Sequence, residues 1–222
     1  MRSPLLHAIR DAWALLSPVS CAGCERPDRA LCEDCVARMH PEVTPRTLDG
    51  GEVVYTALRY EGAVRQAILA LKESGRTDIA AVLASALAAA VGRAGQLADA
   101  AAVPVEIVAV PTTRGAWRRR GYDPVTLLCR RAGVRPARVL AHAGPRARQK
   151  SLGREQRAAN ASGSLIALRP LHGRRFLLVD DVVTTGATIR EAARALESAG
   201  AEVVGRAALA FTPRRFGLPE NS

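Results

Sequence analysis

Two adjacent carboxylates, Asp180 and Asp181, follow the apolar run Phe176–Val179 and precede a short hydroxyl-rich turn. A buried strand of a parallel sheet would deliver the pair to the carboxyl edge, where open α/β folds bind ligands. The turn leads into a predicted helix whose first amides favour an anion. This layout suits a ligand with a diol at one end and a phosphate at the other, such as a ribose 5-phosphate. An N-capped helix after a buried strand explains one threonine and one aspartate, but not the whole pattern. The cradle for the phosphate would comprise Thr184, Thr185, Gly186, Ala187 and Thr188.

Four cysteines near the N-terminus form a second chemical motif, with two C-x-x-C pairs separated by seven residues. Each pair can present two thiolates to a tetrahedral metal, which predicts a structural zinc site. Two disulfides and an iron centre on the same sulfurs remain alternatives. The fifth cysteine, Cys129, lies in an apolar helical run and is interpreted as a buried core thiol. The predicted metal ligands are Cys21, Cys24, Cys32 and Cys35.

The charge of the chain is concentrated in one segment. The net charge is +11, and the 44 residues from Arg114 to Arg157 hold 13 basic residues against only Asp123 and Glu155, which is also a net +11. The remainder therefore balances to zero. This asymmetry predicts an anionic partner at the segment, and both a diphosphate and a DNA backbone would fit.

The elements that must position these groups alternate between strand and helix from about residue 50. Strands are predicted over 53–57, 105–110, 139–141, 176–179 and 203–211, and helices over 62–73, 77–93, 124–132 and 188–198. This order of βαβ units predicts an α/β fold with a mostly parallel sheet flanked by helices. With 48% hydrophobic but only 4% aromatic residues, the core must consist of Val, Leu, Ile and Ala.

The 222 residues indicate one domain with a small appendage, and the composition excludes a disordered or disulfide-dense secreted chain. Residues 1–20 place Leu5, Ile9 and Trp13 on one helical face, and Arg10 and Asp11 interrupt any signal-peptide core. We therefore predict an N-terminal amphipathic helix over 1–20, a cysteine knuckle over 21–45 and the α/β domain over 50–215. A cytoplasmic protein without a membrane span is expected.

The segment Phe176–Thr188 resembles the phosphoribosyl pyrophosphate (PRPP) motif of type I phosphoribosyltransferases. The wider pattern looks like that of the ComF family, the competence-associated phosphoribosyltransferase-like proteins, over about residues 15 to 212. The usual Pro-Val-Pro of that family is Ala109-Val110-Pro111 here, and its Arg-Gly-Phe-Asn is Arg120-Gly121-Tyr122-Asp123. The other matching motifs are Tyr60-Glu-Gly-Ala-Val-Arg65, Leu71-Lys72, Gln149-Lys-Ser-Leu152 and Arg157-Ala-Ala-Asn160.

The resemblance implies roles for the motif residues. Asp180 and Asp181 would accept hydrogen bonds from the ribose hydroxyls and orient Mg²⁺, and residues 184–188 would hold the 5′-phosphate. The loop with Thr112 and Thr113 resembles the pyrophosphate loop, and Arg120 would neutralise the leaving diphosphate. In the loop 149–160, which resembles an insertion beside the site, Arg157 and Asn160 would close over the ligand, although an ordinary exposed basic loop is an equal interpretation.

Two classes of function remain open on the sequence. One is a phosphoribosyltransferase acting with Mg²⁺ on an unidentified nitrogen acceptor. The other is a non-catalytic module that senses PRPP or binds single-stranded DNA through 114–157 during natural transformation, with competence-machinery proteins as partners. The scarcity of aromatic residues argues mildly against a stacking platform for single strands.

Overall fold

The computed structural model describes residues 19–27, 29–98, 104–143 and 163–212. A short helix, α1 (Glu33–Ala37), follows the first cysteines. Two strands, β1 (Thr44–Thr47) and β2 (Val53–Arg59), and the helix α2 (Gly62–Glu73) come next. A 3₁₀ turn over Thr77–Ile79 then leads into α3 (Ala80–Ala98). The predicted helix over 77–93 is thus a turn plus a longer helix.

The middle of the chain contains two short helices between strands. Strand β3 (Val105–Ala109) precedes α4 (Arg114–Arg120) and α5 (Pro124–Arg131). Strands β4 (Leu140–His142) and β5 (Leu165–Ala167) pair with each other in a separate antiparallel sheet. The sequence predicted a strand over 139–141, but neither β5 nor α4.

The last three elements carry the carboxylate motif. They are β6 (Arg175–Val183), α6 (Ala187–Glu197) and β7 (Glu202–Phe211). Strand β6 extends four residues beyond the predicted run, so Asp180 and Asp181 lie within the strand rather than after it. The turn of Thr184–Gly186 then joins the strand to α6.

The main sheet has five strands in the order β1-β2-β7-β6-β3. Strands β2, β7, β6 and β3 are parallel to one another, and the edge strand β1 is antiparallel to β2. The predicted mostly parallel sheet flanked by helices is therefore confirmed. Because parallel strands end at the same edge, the segments after β3 and β6 begin side by side.

Two hydrophobic clusters flank the sheet. Phe176 is the one aromatic residue among the largest fully buried side chains of the described residues, and leucines form most of the rest. This confirms the predicted aliphatic core. Cys21, Cys32, Cys35 and Met39 belong to the same cluster as α2 and α3, so the cysteine region packs directly against the domain.

One stretch in the described ranges, Thr77–Gln96, has the length and apolar composition of a membrane span, with a mean hydropathy of 1.4. Its residues Leu83, Leu87 and Ala90 are at most 1% exposed and belong to the core cluster between α3 and the sheet. The stretch therefore serves as a core helix of this fold. The amphipathic helix predicted over 1–20 falls almost wholly outside the described residues.

Candidate functional site

The carboxylate pair lies near the end of the central strand β6. The side chain of Asp180 is buried, and one of its oxygens accepts a hydrogen bond from the backbone N–H of Asp181 at 2.8 Å. The carboxylate of Asp181 accepts from Nζ of Lys72, at 3.1 Å to Oδ1 and 3.0 Å to Oδ2. A lysine from the end of α2 is thus part of the site.

Burial and the neighbouring charge of Asp181 raise the pKa of Asp180 to about 8. The backbone N–H of Asp181 and the positive charge of Lys72 oppose this rise, but they are weaker than the desolvation. Burial and the second carboxylate therefore disfavour the charged form of Asp180, and Lys72 supplies a positive charge next to the pair.

The turn after β6 contains the residues that the sequence predicts as a phosphate cradle. Thr184, Thr185 and Thr188 are exposed, whereas Gly186 is buried and adopts a φ of 76°. A Cβ at Gly186 would lie 2.4 Å from Cδ1 of Leu48, so both the backbone conformation and the space require glycine here. The guanidinium of Arg190 donates to the carbonyl of Thr185 at 3.0 Å, which holds the turn against α6. A pocket of about 70 Å³ lies at this turn, lined by Asp180 and residues 182–189.

The loop after β3 is held by Asp123. This carboxylate accepts from the backbone N–H of Thr112 at 2.8 Å and from that of Thr126 at 2.7 Å, which caps α5. The family's asparagine has a single oxygen for such bonds, whereas Asp123 uses both of its oxygens. The hydroxyl of Thr113 accepts from the N–H of Ala116 and caps α4. Thr113 therefore also has a structural role.

One cavity of about 490 Å³ brings together six of the predicted catalytic and substrate-binding residues. The loop after β3 and the end of β6 form its two sides, and α2 and α4 each contribute one cation. Arg120 is half-buried in this wall, whereas Arg118 and Arg119 are exposed. Its charged and hydroxyl-bearing lining residues are Lys72, Thr112, Thr113, Arg120, Asp123, Ser164, Asp180, Asp181 and Thr188.

The four cysteine sulfurs of the knuckle lie within 4.8 Å of one another. A tetrahedral zinc with Zn–S bonds of about 2.3 Å separates its sulfurs by roughly 3.8 Å, and those of Cys24 and Cys32 are 3.6 Å apart. All five cysteines of the chain are free thiols, so the disulfide alternative finds no support. The donor set therefore fits a structural metal such as zinc.

Burial alone would raise the pKa of Cys21, but backbone N–H groups of Cys32 and Gly23 donate to its sulfur and lower the pKa to about 6. Burial raises the pKa of Cys35. A Cβ at Gly23 would lie 2.7 Å from Sγ of Cys35. Glycine at this position therefore lets the first C-x-x-C pair come close to Cys35. Cys129 is buried in α5, as predicted, and burial raises the pKa of its thiol to about 12.

Comparison with known proteins finds relatives that cover most of the chain. Residues 123–221 match the model of the phosphoribosyl transferase domain. The chain is 29% identical over 202 residues to the DNA utilization protein YhgH of Escherichia coli strain K12, a match covering 86% of this chain and 88% of that protein. Together with the four clustered cysteines, these matches support the resemblance predicted from the motifs. The chain is similar to ComF-like DNA utilization proteins over most of its length.

Other relatives of this ComF-like chain are phosphoribosyltransferases. It is 38% identical over 113 residues to the adenine phosphoribosyltransferase of Clavibacter michiganensis subsp. michiganensis, covering 48% of this chain and 57% of that one. Among solved structures, the adenine phosphoribosyltransferase of Thermoanaerobacter pseudethanolicus matches at 18% identity with a TM-score of 0.32, covering 78% of this chain and 84% of that chain. The mostly parallel sheet and the domain match over residues 123–221 support the fold class of a phosphoribosyltransferase-type domain with an N-terminal cysteine cluster.

The structure also adds residues that the ComF-like motifs did not assign. Lys72 was part of a matching motif but had no role. His142 lines the cavity of about 490 Å³, and its Nε2 lies 2.9 Å from the carbonyl oxygen of Pro111. Tyr122 donates from its hydroxyl to the carbonyl of Leu71. Arg157 and Asn160 lie outside the described residues.

Proposed function

We propose that this ComF-like protein binds PRPP with Mg²⁺ at the carboxyl edge of the main sheet and transfers the phosphoribosyl group to a nitrogen acceptor. The observation that carries the proposal is the position of Asp180, which lines both the cavity at the loop after β3 and the smaller pocket at the turn after β6. The phosphoribosyl transferase family match supports it independently.

The ligand groups follow from the chemistry of the lining. Asp180 and Asp181 would receive the ribose hydroxyls, because these side chains present carboxyl oxygens at the rim of the sheet. The exposed hydroxyls of Thr184, Thr185 and Thr188, with the first amides of α6, would hold the 5′-phosphate. The backbone and hydroxyls of Thr112 and Thr113, with Arg120, would face the diphosphate.

In the proposed reaction, the bond from ribose C1 to the diphosphate oxygen breaks, a bond from C1 to the acceptor nitrogen forms, and the proton of that nitrogen passes to water or to the departing diphosphate. The diphosphate leaves with the electron pair of the broken bond, and Arg120 stabilises the charge that builds on it. The carboxylates would stabilise the positive charge that develops on the ribose ring. Mg²⁺, when bound, supplies further neutralisation of the diphosphate.

We also propose that the cysteine cluster binds zinc as a structural metal. Its supporting observations are the short distances between the sulfurs and the burial of Cys21, Cys32 and Cys35. The predicted division into a helix over 1–20, a knuckle over 21–45 and a domain over 50–215 stays part of this proposal. Free thiols throughout are consistent with work in the cytoplasm.

A specific surface supports a second candidate function, binding of single-stranded nucleic acid. Trp117 is 53% exposed on α4, between exposed arginines. Beside it lies a cavity of about 650 Å³ that Arg130 and Arg138 also line. An exposed indole with cations on either side suits base stacking together with phosphate contacts. The DNA utilization relatives favour such a partner, and competence-machinery proteins remain candidate partners.

One experiment separates the two functions. The full chain is titrated with PRPP and Mg²⁺ by calorimetry and then incubated with a pool of nucleobases while released pyrophosphate is measured. Binding and release support the transferase, whereas PRPP binding without release supports a sensing module. A titration with a labelled oligonucleotide at two salt concentrations tests the second candidate, because polynucleotide binding weakens steeply with salt. Absence of PRPP binding would overturn the first proposal.

A further inference from the structure

We propose that Lys72 is a ligand-binding residue of this site. When a divalent cation coordinates the carboxylate of Asp181, Lys72 leaves Asp181 and pairs with an anionic group of the ligand. The inference rests on the proposed binding of PRPP with a divalent cation and names a residue that no motif assigned. Lys72 comes from the last turn of α2, yet it pairs with a carboxylate 109 residues further along the chain.

The contacts of Lys72 place its charge inside the cavity. Its side chain is 30% exposed and that of Asp181 is 15% exposed, and both line the same cavity as Thr112 and Arg120. A lysine at the end of a helix ordinarily extends into water, where it interacts with the last carbonyls. Here Nζ instead lies between both oxygens of Asp181. A lysine that only stabilised the end of α2 would not need to contact a carboxylate inside the cavity.

Lys72 and a divalent cation compete for the same atoms. Nζ is 3.0 Å and 3.1 Å from the two oxygens of Asp181, which are the oxygens that a hard cation would coordinate. The two positive charges also repel each other at such distances. A cation on Asp181 therefore removes the partner of Lys72 and leaves an ammonium group that needs an anion.

The anion is available within the cavity, because the phosphate groups of the proposed ligand would enter beside Thr112 and Arg120. The backbone at the end of α2 is fixed on two sides. Tyr122 donates to the carbonyl of Leu71, and the N–H of Arg76 donates to the carbonyl of Ala70 at 3.2 Å. Only the flexible four-carbon stem of Lys72 has to move, so the exchange requires no rearrangement of the fold.

The test measures cation binding and ligand binding separately on the full chain. Mn²⁺ alone is titrated by electron paramagnetic resonance into wild type, K72M and R65M, and PRPP is then titrated at saturating Mg²⁺ by calorimetry. Arg65 is exposed on the same helix, so R65M removes an equal charge away from Asp181. K72Q provides a second neutral variant, and thermal melts confirm folding.

We expect K72M to bind Mn²⁺ about tenfold more tightly than wild type and to bind PRPP about tenfold more weakly, with R65M within twofold in both. In a D181N background, the Mn²⁺ difference should vanish. Equal Mn²⁺ affinities in folded wild type, K72M and K72Q would overturn the competition. If wild type binds PRPP and the neutral variants bind it equally well, the ligand role of Lys72 is wrong. If wild type does not bind PRPP at all, the proposed function itself fails, and the Mn²⁺ arm still decides the competition.

Discussion

The hydroxyl of Tyr122 donates a hydrogen bond to the backbone carbonyl of Leu71. This bond joins the turn between α4 and α5 to the end of α2, one residue before Lys72. Burial raises the pKa of Tyr122 despite the nearby charge of Arg120, so the hydroxyl stays protonated and available as a donor. The family's usual phenylalanine at this position lacks that bond.

The first prediction concerns this bond. Y122F should lower the free energy of unfolding by about 1 kcal/mol, because the buried carbonyl loses its donor. It should also weaken PRPP binding, because Lys72 is less well positioned. Calorimetry and denaturant unfolding measure the two effects. Tyr60, whose hydroxyl has no hydrogen-bond partner among the described residues, gives the matched control Y60F. Equal losses of stability and of PRPP affinity in Y122F and Y60F would contradict a positioning role for Tyr122.

The second prediction concerns the carboxylates. Replacing Asp180 and Asp181 by asparagine should weaken PRPP binding on the order of a hundredfold or more, because each charge-assisted hydrogen bond contributes about 1.5–3 kcal/mol. The single variants should differ in stability. D180N removes the cost of burying a carboxyl group next to Asp181 and should not lower the melting temperature. D181N leaves Lys72 without its carboxylate partner and should lower it. Unchanged PRPP affinity in a folded double variant would show that the motif does not bind this ligand.

The third prediction concerns the turn after β6. G186A should destabilise the protein more than G173A, although both glycines have a positive φ of 76° and 71°. A Cβ at Gly173 meets nothing within 4 Å, whereas one at Gly186 meets Leu48. The greater loss of melting temperature in G186A should therefore reflect the contact with Leu48. L48A combined with G186A should recover part of the loss, and no recovery would contradict this cause.

The fourth prediction concerns acid stability. Glu191 is only 4% exposed, and burial would raise its pKa, but hydrogen bonds from Arg194 and from the N–H of Leu165 lower it below its ordinary value. Its stabilising contribution is therefore complete above the pKa of an unfolded glutamate, about 4.3, and is lost as pH falls through the lower folded value.

E191Q should accordingly melt at a lower temperature than wild type at pH 7, and the difference should shrink toward pH 3. The exposed Glu197 on the same helix provides the control E197Q, for which little change is expected at either pH. A gap between wild type and E191Q that stays constant with pH would mean that the charge of Glu191 is not the cause.

The fifth prediction concerns the metal. Purified protein should contain about one zinc per chain, and C32S should lower both the zinc content and the melting temperature. C129A changes a buried cysteine outside the cluster and should keep the zinc. Elemental analysis and thermal melts provide the measurements. Full stability after removal of the metal by a chelator would contradict a structural role.

The sequence predicted α2 to the residue and β6 in part, because strong apolar periodicity marks both. It did not predict β1, because Pro45 and the polar residues of this segment carry no strand pattern. Proline is tolerated there because the strand lies at the sheet edge. It also did not predict α4, whose seven residues have no apolar stripe and whose ends are set by the cap of Thr113 and by Gly121.

The sequence predicted the motifs of the candidate site, but it did not predict the contacts between residues that are far apart in the chain. Asp180, Asp181 and the threonine-rich turn are contiguous, so one segment of sequence contains their chemistry. The pairing of Lys72 with Asp181 depends on how α2 crosses the end of β6, and no local pattern records that geometry. In the same way, Asp123 was visible as a departure from the family pattern, but its two backbone bonds required the folded loop.

The guanidinium of Arg76, just after α2, donates to the carbonyl of Ser20 at 3.0 Å and to that of Ala30 at 3.4 Å. Ser20 precedes the first cysteine, and Ala30 lies two residues before the third. The segment that carries Lys72 is therefore anchored to backbone whose position depends on the cysteine cluster. Thermodynamic linkage follows: occupancy of the cluster should tighten binding at the distant cavity, and a bound ligand should in turn raise the affinity of the cluster for its metal by the same factor.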